Sequence, residues 1–262
     1  MMEFIIIFAF IGSFLAAIYD LKTTEVPEDV PYLMIAVGLF YWFVTALTYG
    51  DFYPLFLSIG FGFLLLIVGL LLYRRGQWGE ADAWLLAAIA FMIPVYNGRL
   101  FMPDFVTNLF MIGAVYTVLY ALALGLKHRT VFGYFLQDLR KNAKLLLLPL
   151  AFVLAAVAMT LYGIYAQPLL LSSVLFFFLM IFWFYGKVIE NKVFRKRIES
   201  RHLKEGDVLD NMLWRGITKD EIKDVSARKK YVIIKEGVRF IPVFPITLLV
   251  TIFFGSIIFP FF

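Results

Sequence analysis

The chain has 262 residues, of which 62% are hydrophobic, 19% aromatic and 16% charged, a balance that excludes an ordinary soluble domain. Apolar runs of about twenty residues recur from end to end. They exclude a single anchor or a cleaved signal sequence and imply spanning helices, because backbone polar groups left unpaired in lipid are costly. Zero cysteines exclude disulfides, cysteine–zinc sites, thiol nucleophiles and iron–sulfur clusters, and two isolated histidines make a poor metal centre, so neither a metal nor a cofactor is expected.

In chain order, spanning helices are expected at residues 4–19, 31–48, 52–73, 83–96, 105–125, 145–165, 169–185 and 240–259, about eight in all. The fourth has only about fourteen apolar residues before Asn97, Gly98 and Arg99, against the roughly twenty a bilayer asks for, which implies that its start is held below the membrane surface. Alternating the connections puts Lys22, Arg74, Arg75, Lys127, Arg129, Arg140, Lys141, Lys144 and every basic residue of 187–239 on one side, so that of 24 Lys and Arg only Arg99 lies opposite. The positive-inside rule then sets the N-terminus outside the cell membrane and the connections after the first, third, fifth and seventh spans in the cytoplasm. Basic residues flanking spans serve orientation and anionic headgroups. Membrane lipids are therefore expected partners, and the net charge of +5 does not point to nucleic acid.

The fold class is thus an all-α polytopic membrane protein with a small α/β cytosolic domain before the last helix. Four parts follow: a catalytic membrane core at 1–126, a basic cytosolic loop with an additional helical hairpin at 127–186, the small cytosolic domain at 187–239 and a C-terminal transmembrane helix at 240–262. In the third part, Thr218 and Glu221 have capping-box spacing for a short helix and residues 231–234 read as a strand. The basic run 187–204, interspersed with Val188, Ile189, Val193, Phe194 and Ile198, reads as a helix leaving the membrane along the interface. Gly60, Gly62 and Gly69 permit close packing of the third span, and His128 and His202 fall in solvated basic segments.

Two carboxylates carry the chemistry. Asp20 ends the first span and Asp82 opens the fourth within Gly79-Glu80-Ala81-Asp82, both at the cytoplasmic end, although the orientation rests on Lys and Arg alone. Either alone has a plain structural explanation, since Asp stops a span or caps a helix start against the positive end of the dipole. A carboxylate in hydrocarbon nevertheless costs about 2.5–3.5 kcal/mol. Two at matching depth hold one water and share one proton, because like charges that close do not both ionise easily. One then acts as base toward the attacking water, while the other polarises a peptide carbonyl and assists departure of the amine. Glu80 points away from Asp82 on a helix start, and Lys22 either tunes Asp20 or anchors to headgroups. Glu25, Glu28, Asp29 and Glu80 form an acidic rim on an otherwise basic surface, either to hold a basic stretch of substrate or as solvated turn residues around Pro27.

At these residues the chain resembles the GxGD membrane aspartyl peptidases, and within them the archaeal preflagellin and type IV prepilin peptidases. Asp20-Leu21-Lys22-Thr23-Thr24-Glu25-Val26-Pro27 looks like the motif in which a catalytic Asp ends the first helix. Gly79-Glu80-Ala81-Asp82 looks like the GxGD motif opening the fourth helix, with Ala81 in place of the second Gly, and Gly237-Val238-Arg239-Phe240-Ile241-Pro242-Val243-Phe244-Pro245-Ile246 is similar to the Pro-rich approach to the last helix of archaeal members. The resemblance implies that Asp20 and Asp82 are the catalytic pair and that Gly79 and Ala81 shape the site. It implies an aspartic endopeptidase that removes short basic leaders from pilin or archaellin precursors at the cytoplasmic face, with Glu25, Glu28 and Glu80 as candidate leader contacts. Ala81 forgoes easy use of positive φ and adds a methyl where backbones approach. Without Cys or a dedicated loop between the first two spans, the methyltransferase activity that bacterial members often carry is not expected.

Other readings differ in class. A presenilin-like intramembrane protease matches Tyr19-Asp20, but a Pro-Ala-Leu motif is absent and the first Asp lies on the first helix. A proton- or cation-coupled transporter usually carries its ionisable groups near the midplane and shows repeats, whereas both Asp here sit at one end and no repeat is visible. A structural assembly subunit tolerates Asn at both positions.

Overall fold

The computed structural model describes residues 2–128, 130–163, 167–210 and 216–257; Arg129 and the expected span ends at Tyr165 and Phe259 lie outside them. Helices α1 (Met2–Thr23), α2 (Asp29–Tyr49), α3 (Tyr53–Arg74) and α4 (Glu80–Met92) are followed by strands β1 (Val95–Tyr96) and β2 (Arg99–Leu100). Then come α5 (Met102–Lys127), α6 (Thr130–Lys141), α7 (Ala143–Leu161), α8 (Gln167–Ile189), β3 (Arg195–Glu199), α9 (Lys219–Arg228), β4 (Tyr231–Lys235) and α10 (Val243–Phe254). The chain divides into two compact units, Met1–Thr117 with Val238–Phe262, and Val118–Gly237.

Among the described residues, six helices are long and apolar enough to cross a membrane: α1, α2, α3, α5, α7 and α8. The protein is therefore a multi-pass helical membrane protein. Two of the eight segments expected to span form shorter helices, α4 with 13 residues and α10 with 12, or only about 20 and 18 Å at 1.5 Å per residue.

The reason for α4 lies in its burial. From Asp82 to Met92 every residue except Trp84 is buried, so the helix answers to neighbouring side chains rather than to lipid. Small residues bring the neighbours close. A Cβ at Gly69 of α3 would lie 2.8 Å from the Ala83 Cα, one at Gly62 2.5 Å from the Phe91 ring, and one at Gly38 of α2 2.8 Å from the Phe91 carbonyl oxygen. Gly60 meets nothing within 4 Å, so it is not part of this packing. The last carbonyls of a helix need outside donors. Here Ser58 Oγ donates to the Phe91 carbonyl at 2.6 Å and Trp42 Nε1 to that of Met92 at 3.0 Å. The chain then leaves the helical path, and residues 93–96, expected as helix, lead into a hairpin pairing Val95 with Leu100 and Tyr96 with Arg99. Asn97 and Gly98 turn it with φ of 49° and 74°, the two positive values that a two-residue hairpin of this hand requires.

In the same unit, α5 contributes Phe105 and Leu109 and α10 contributes Phe244 and Leu248 to the core that α4 occupies. Buried Asn108 ends α10. Its Nδ2 donates to Thr251 Oγ1 at 3.0 Å and to the Gly255 carbonyl at 2.7 Å, and its Oδ1 accepts the Ile257 N–H at 2.9 Å.

The second unit departs from the sequence expectation twice. Residues 130–141, expected within a basic loop, form the amphipathic α6, because Val131 and Phe135 share a face that packs on Tyr185, Val188 and Ile189 of α8. The basic run expected as an interfacial helix leaves helical geometry after a π-helical turn at Glu190–Phe194 and becomes β3. Pairing decides this: β3 runs antiparallel to β4 from Arg195↔Lys235 to Glu199↔Tyr231, and its cations find Asp210 at 2.9 Å from Arg195 and Glu236 at 2.6 Å from Lys196. Leu203, Leu209, Ile217 and Val232 form a small core beside this sheet. The Thr218 N–H donates to Glu221 Oε2 at 3.0 Å at the start of α9. His128 and His202 are exposed.

Candidate active site

Asp20 stands in the last turn of α1. Four residues later Thr24 ends the helix with a left-handed φ of 62°, and its N–H donates to the Asp20 carbonyl at 3.0 Å. The Asp20 side chain is buried, and its Oδ2 accepts the Ile241 N–H at 3.2 Å. The nearby cation that acts on it electrostatically is Arg239, whereas Lys22 is exposed. Arg239 is held from two directions: its Nη1 donates to the Leu21 carbonyl, and its own carbonyl accepts the Tyr116 hydroxyl at 2.7 Å. The segment leading into α10 thus reaches the end of α1 across 221 positions of sequence.

Asp82 is the third residue of α4 and only 7% exposed. Its Oδ2 accepts the Gly79 N–H at 2.8 Å, the side-chain-to-backbone half of a capping box. Its Oδ1 is buried and has no hydrogen-bond partner among the described residues. A buried polar atom left in that condition costs about 1–3 kcal/mol; Oδ1 takes a donor when Asp82 is ionised and an acceptor when it carries a proton. The Asp20 carboxylate acts electrostatically on Asp82.

Gly79 has φ −74° and ψ 158°, an extended conformation open to any residue. Its smallness matters for another reason: a Cβ there would stand 3.1 Å from Asp82 Oδ2. Ala81 is helical, half-buried and packed against the core, and it is not among the residues with positive φ. Glycine's freedom is therefore not needed at that position. Ala81→Gly is expected to keep precursor-cleaving activity, whereas Ala81→Leu overfills the packing at about 1–3 kcal/mol and loses it. Equal cleavage rates in all three proteins would show that side-chain size at position 81 has no bearing on the site.

Glu25, Glu28 and Glu80 are exposed. Glu28 and Glu80 both act electrostatically on Tyr32, whose ring meets that of Trp84 edge-on with centroids 5.0 Å apart, so these two carboxylates converge where α2 and α4 begin. On the turn after α1, the Glu25 carbonyl accepts the Thr23 hydroxyl at 2.9 Å. Ile241, Arg239 and Tyr32 were not among the expected site residues. Arg239 and Ile241 lie within the Gly237-to-Ile246 segment that resembles the approach to the last helix of archaeal members, but that resemblance assigned neither of them a role at the site.

Two buried acids thus stand at helix ends, Asp20 in the last turn of α1 and Asp82 in the first turn of α4, in a multi-pass helical membrane protein. Residues 7–128 match the model of the type IV leader peptidase family, a match that supports a protease of the kind that acts on prepilin-type precursors. Comparison with curated proteins and with solved structures gave no match. The matched stretch contains Asp20, Gly79, Ala81 and Asp82, while Arg239 and Ile241 lie outside it.

Proposed function

We propose that the chain is an intramembrane aspartyl endopeptidase that removes short basic leader peptides from archaeal prepilin or preflagellin-like precursors at the cytoplasmic face of the membrane. The observation that carries this reading is the buried, unpartnered Asp82 Oδ1 beside Asp20, both within the family-matched stretch. The Ile241 N–H and the Arg239 guanidinium complement a charged Asp20, which serves as the base, and Asp82 carries the shared proton. Asp20 takes a proton from water as the water oxygen attacks the scissile carbonyl carbon. Asp82 meanwhile donates its hydrogen bond to the carbonyl oxygen. The C–N bond then breaks, and the amine leaves with a proton returned by the pair.

Glu28 and Glu80 around Tyr32, with Glu25 on the adjoining turn, support an acidic rim that holds the basic residue ahead of the cut site while the apolar helix of the precursor stays in lipid. Membranes containing the protein are expected to cleave a short-leader precursor bearing Lys before the cut site faster than one bearing Gln. Because single exposed ion pairs contribute little, Glu25→Gln, Glu28→Gln and Glu80→Gln are combined, and the Lys-over-Gln preference is expected to fall roughly tenfold. Added salt weakens the same preference in the parent. An unchanged ratio would move leader recognition to residues 187–239. Failure of the parent to cleave either precursor overturns the peptidase reading itself.

A further inference from the structure

Beyond the apolar seam between α6 and α8, the two helices and the π-helical turn line an open cavity of about 210 Å³, far more than the roughly 10–15 Å³ one water needs. Three of its lining residues are Lys141, Lys187 and Lys192, and none of them forms an ion pair among the described residues. Lys187 Nζ stands 5.5 Å from the Trp183 ring centroid and Lys192 Nζ 4.3 Å from that of Tyr134. A fourth lining residue, Asp138, has Oδ1 accepting the Asn142 Nδ2 at 3.3 Å, while its buried Oδ2 has no hydrogen-bond partner among the described residues. The cavity therefore combines three exposed lysines that form no ion pair among the described residues with one buried carboxylate oxygen that has no hydrogen-bond partner among them.

That combination is selective. Inorganic phosphate answers the lysines but sets its charge against Asp138. A phosphodiester whose alcohol carries an O–H or N–H answers both, with phosphate on the lysines and the donor on Asp138 Oδ2. Depth narrows the choice further. Lys187 lies in the last turn of α8, a helix long and apolar enough to cross the membrane, and Trp183 sits one turn earlier, as aromatic side chains do at headgroup level. We propose that this cavity binds the phosphodiester headgroup of a membrane lipid whose alcohol carries a hydrogen-bond donor. The site is independent of the paired aspartates. It uses the basic-pocket chemistry by which membrane proteins retain particular lipids.

The test is retention of lipid by the full-length protein in mixed micelles of phosphatidylglycerol, phosphatidylethanolamine or phosphatidylcholine, counted by native mass spectrometry. The parent is expected to retain the first two over phosphatidylcholine, whose trimethylammonium has no N–H. Lys141→Gln, Lys187→Gln and Lys192→Gln are each expected to lower phosphatidylglycerol retention by roughly fivefold, about the worth of one lysine at an anionic surface, and Asp138→Asn to remove the advantage of phosphatidylethanolamine over phosphatidylcholine. Equal retention of all three lipids by the parent, or parent-like retention in the lysine variants, overturns the proposal. Displacement of phosphatidylglycerol by equimolar glycerol phosphate also overturns it, in favour of a soluble phosphate ester. This competition is read on the parent alone and decides the matter even if a variant fails to fold.

Discussion

Asp20→Asn and Asp82→Asn are each expected to lower precursor cleavage by about 10²–10⁴-fold, the scale of losing one partner in general acid–base catalysis, with membrane insertion and Tm close to the parent. Asparagine is chosen because each carboxylate also has a structural task. Asp82 Oδ2 accepts the Gly79 N–H that opens α4, and Asp20 Oδ2 accepts the Ile241 N–H. An amide oxygen performs both tasks, so the substitution removes the chemistry and leaves the fold. Asp82→Ala removes both, and its extra cost, about 0.5–2 kcal/mol for a lost cap, should appear as a lower Tm that Asp82→Asn does not show. The double Asn variant is expected to be no slower than the worse single one, because two residues acting as a unit are not additive. Full activity in either single variant removes the dyad. Among the described residues no cluster of three His, Asp or Glu side chains is arranged to hold a metal. The aspartyl reading expects cleavage to survive a chelator, and its loss would turn attention to metal-assisted hydrolysis.

What the sequence made legible here were positions whose side chains carry the information. Asp20 and Asp82 stood out because carboxylates at apolar boundaries are rare, and because an orientation derived from Lys and Arg put them on the same side. The partners that complete the site were not legible for a specific reason. Ile241 contributes a backbone N–H, which almost any residue supplies, so no residue type in the sequence marks it. Arg239 stood inside the segment that resembles the approach to the last helix, with nothing in the sequence to mark it as a partner of Asp20. Its contact with the end of α1 depends on how the approach to α10 packs, and Tyr116 holds it there. The end of α4 at Met92 rather than Tyr96 was not legible in part because Ser58 and Trp42 sit within apolar runs of other helices, where a hydroxyl and an indole read as tolerated rather than as the donors that end a neighbour. The hairpin after α4 did carry a signal, since Asn97-Gly98 is a strong two-residue turn. It was read only as the end of a span. In the second unit, β3 has no apolar alternation across Arg195, Lys196 and Arg197, and only its partner β4 reveals it as a strand.

Gly79 offers the second large effect, and it separates catalysis from folding. Its backbone is extended and accessible to any residue, and of the atoms within 4 Å of a Cβ built there both belong to the Asp82 carboxyl group, Oδ2 at 3.1 Å and Cγ at 3.8 Å. Gly79→Ala therefore asks nothing of the surrounding helices. It asks the Asp82 carboxylate to yield by a few tenths of an ångström, and the carboxylate cannot move Oδ2 without also moving the unpartnered Oδ1. Since a misplacement of about 1 Å costs on the order of a hundredfold in rate, Gly79→Ala is expected to slow cleavage by roughly tenfold. Gly79→Val, whose branched side chain leaves the carboxylate less room, should slow it by roughly a hundredfold. Tm should stay near the parent in the alanine variant, because the smaller entropy of its unfolded chain, worth about 0.4–1 kcal/mol, offsets the poorer N-cap. Initial rates on a short-leader precursor, measured beside Tm for both variants, distinguish the outcomes. A large fall in Tm with unchanged specific activity would make Gly79 a folding requirement of α4. A graded loss of rate at constant Tm makes it the residue that gives the Asp82 carboxylate its position.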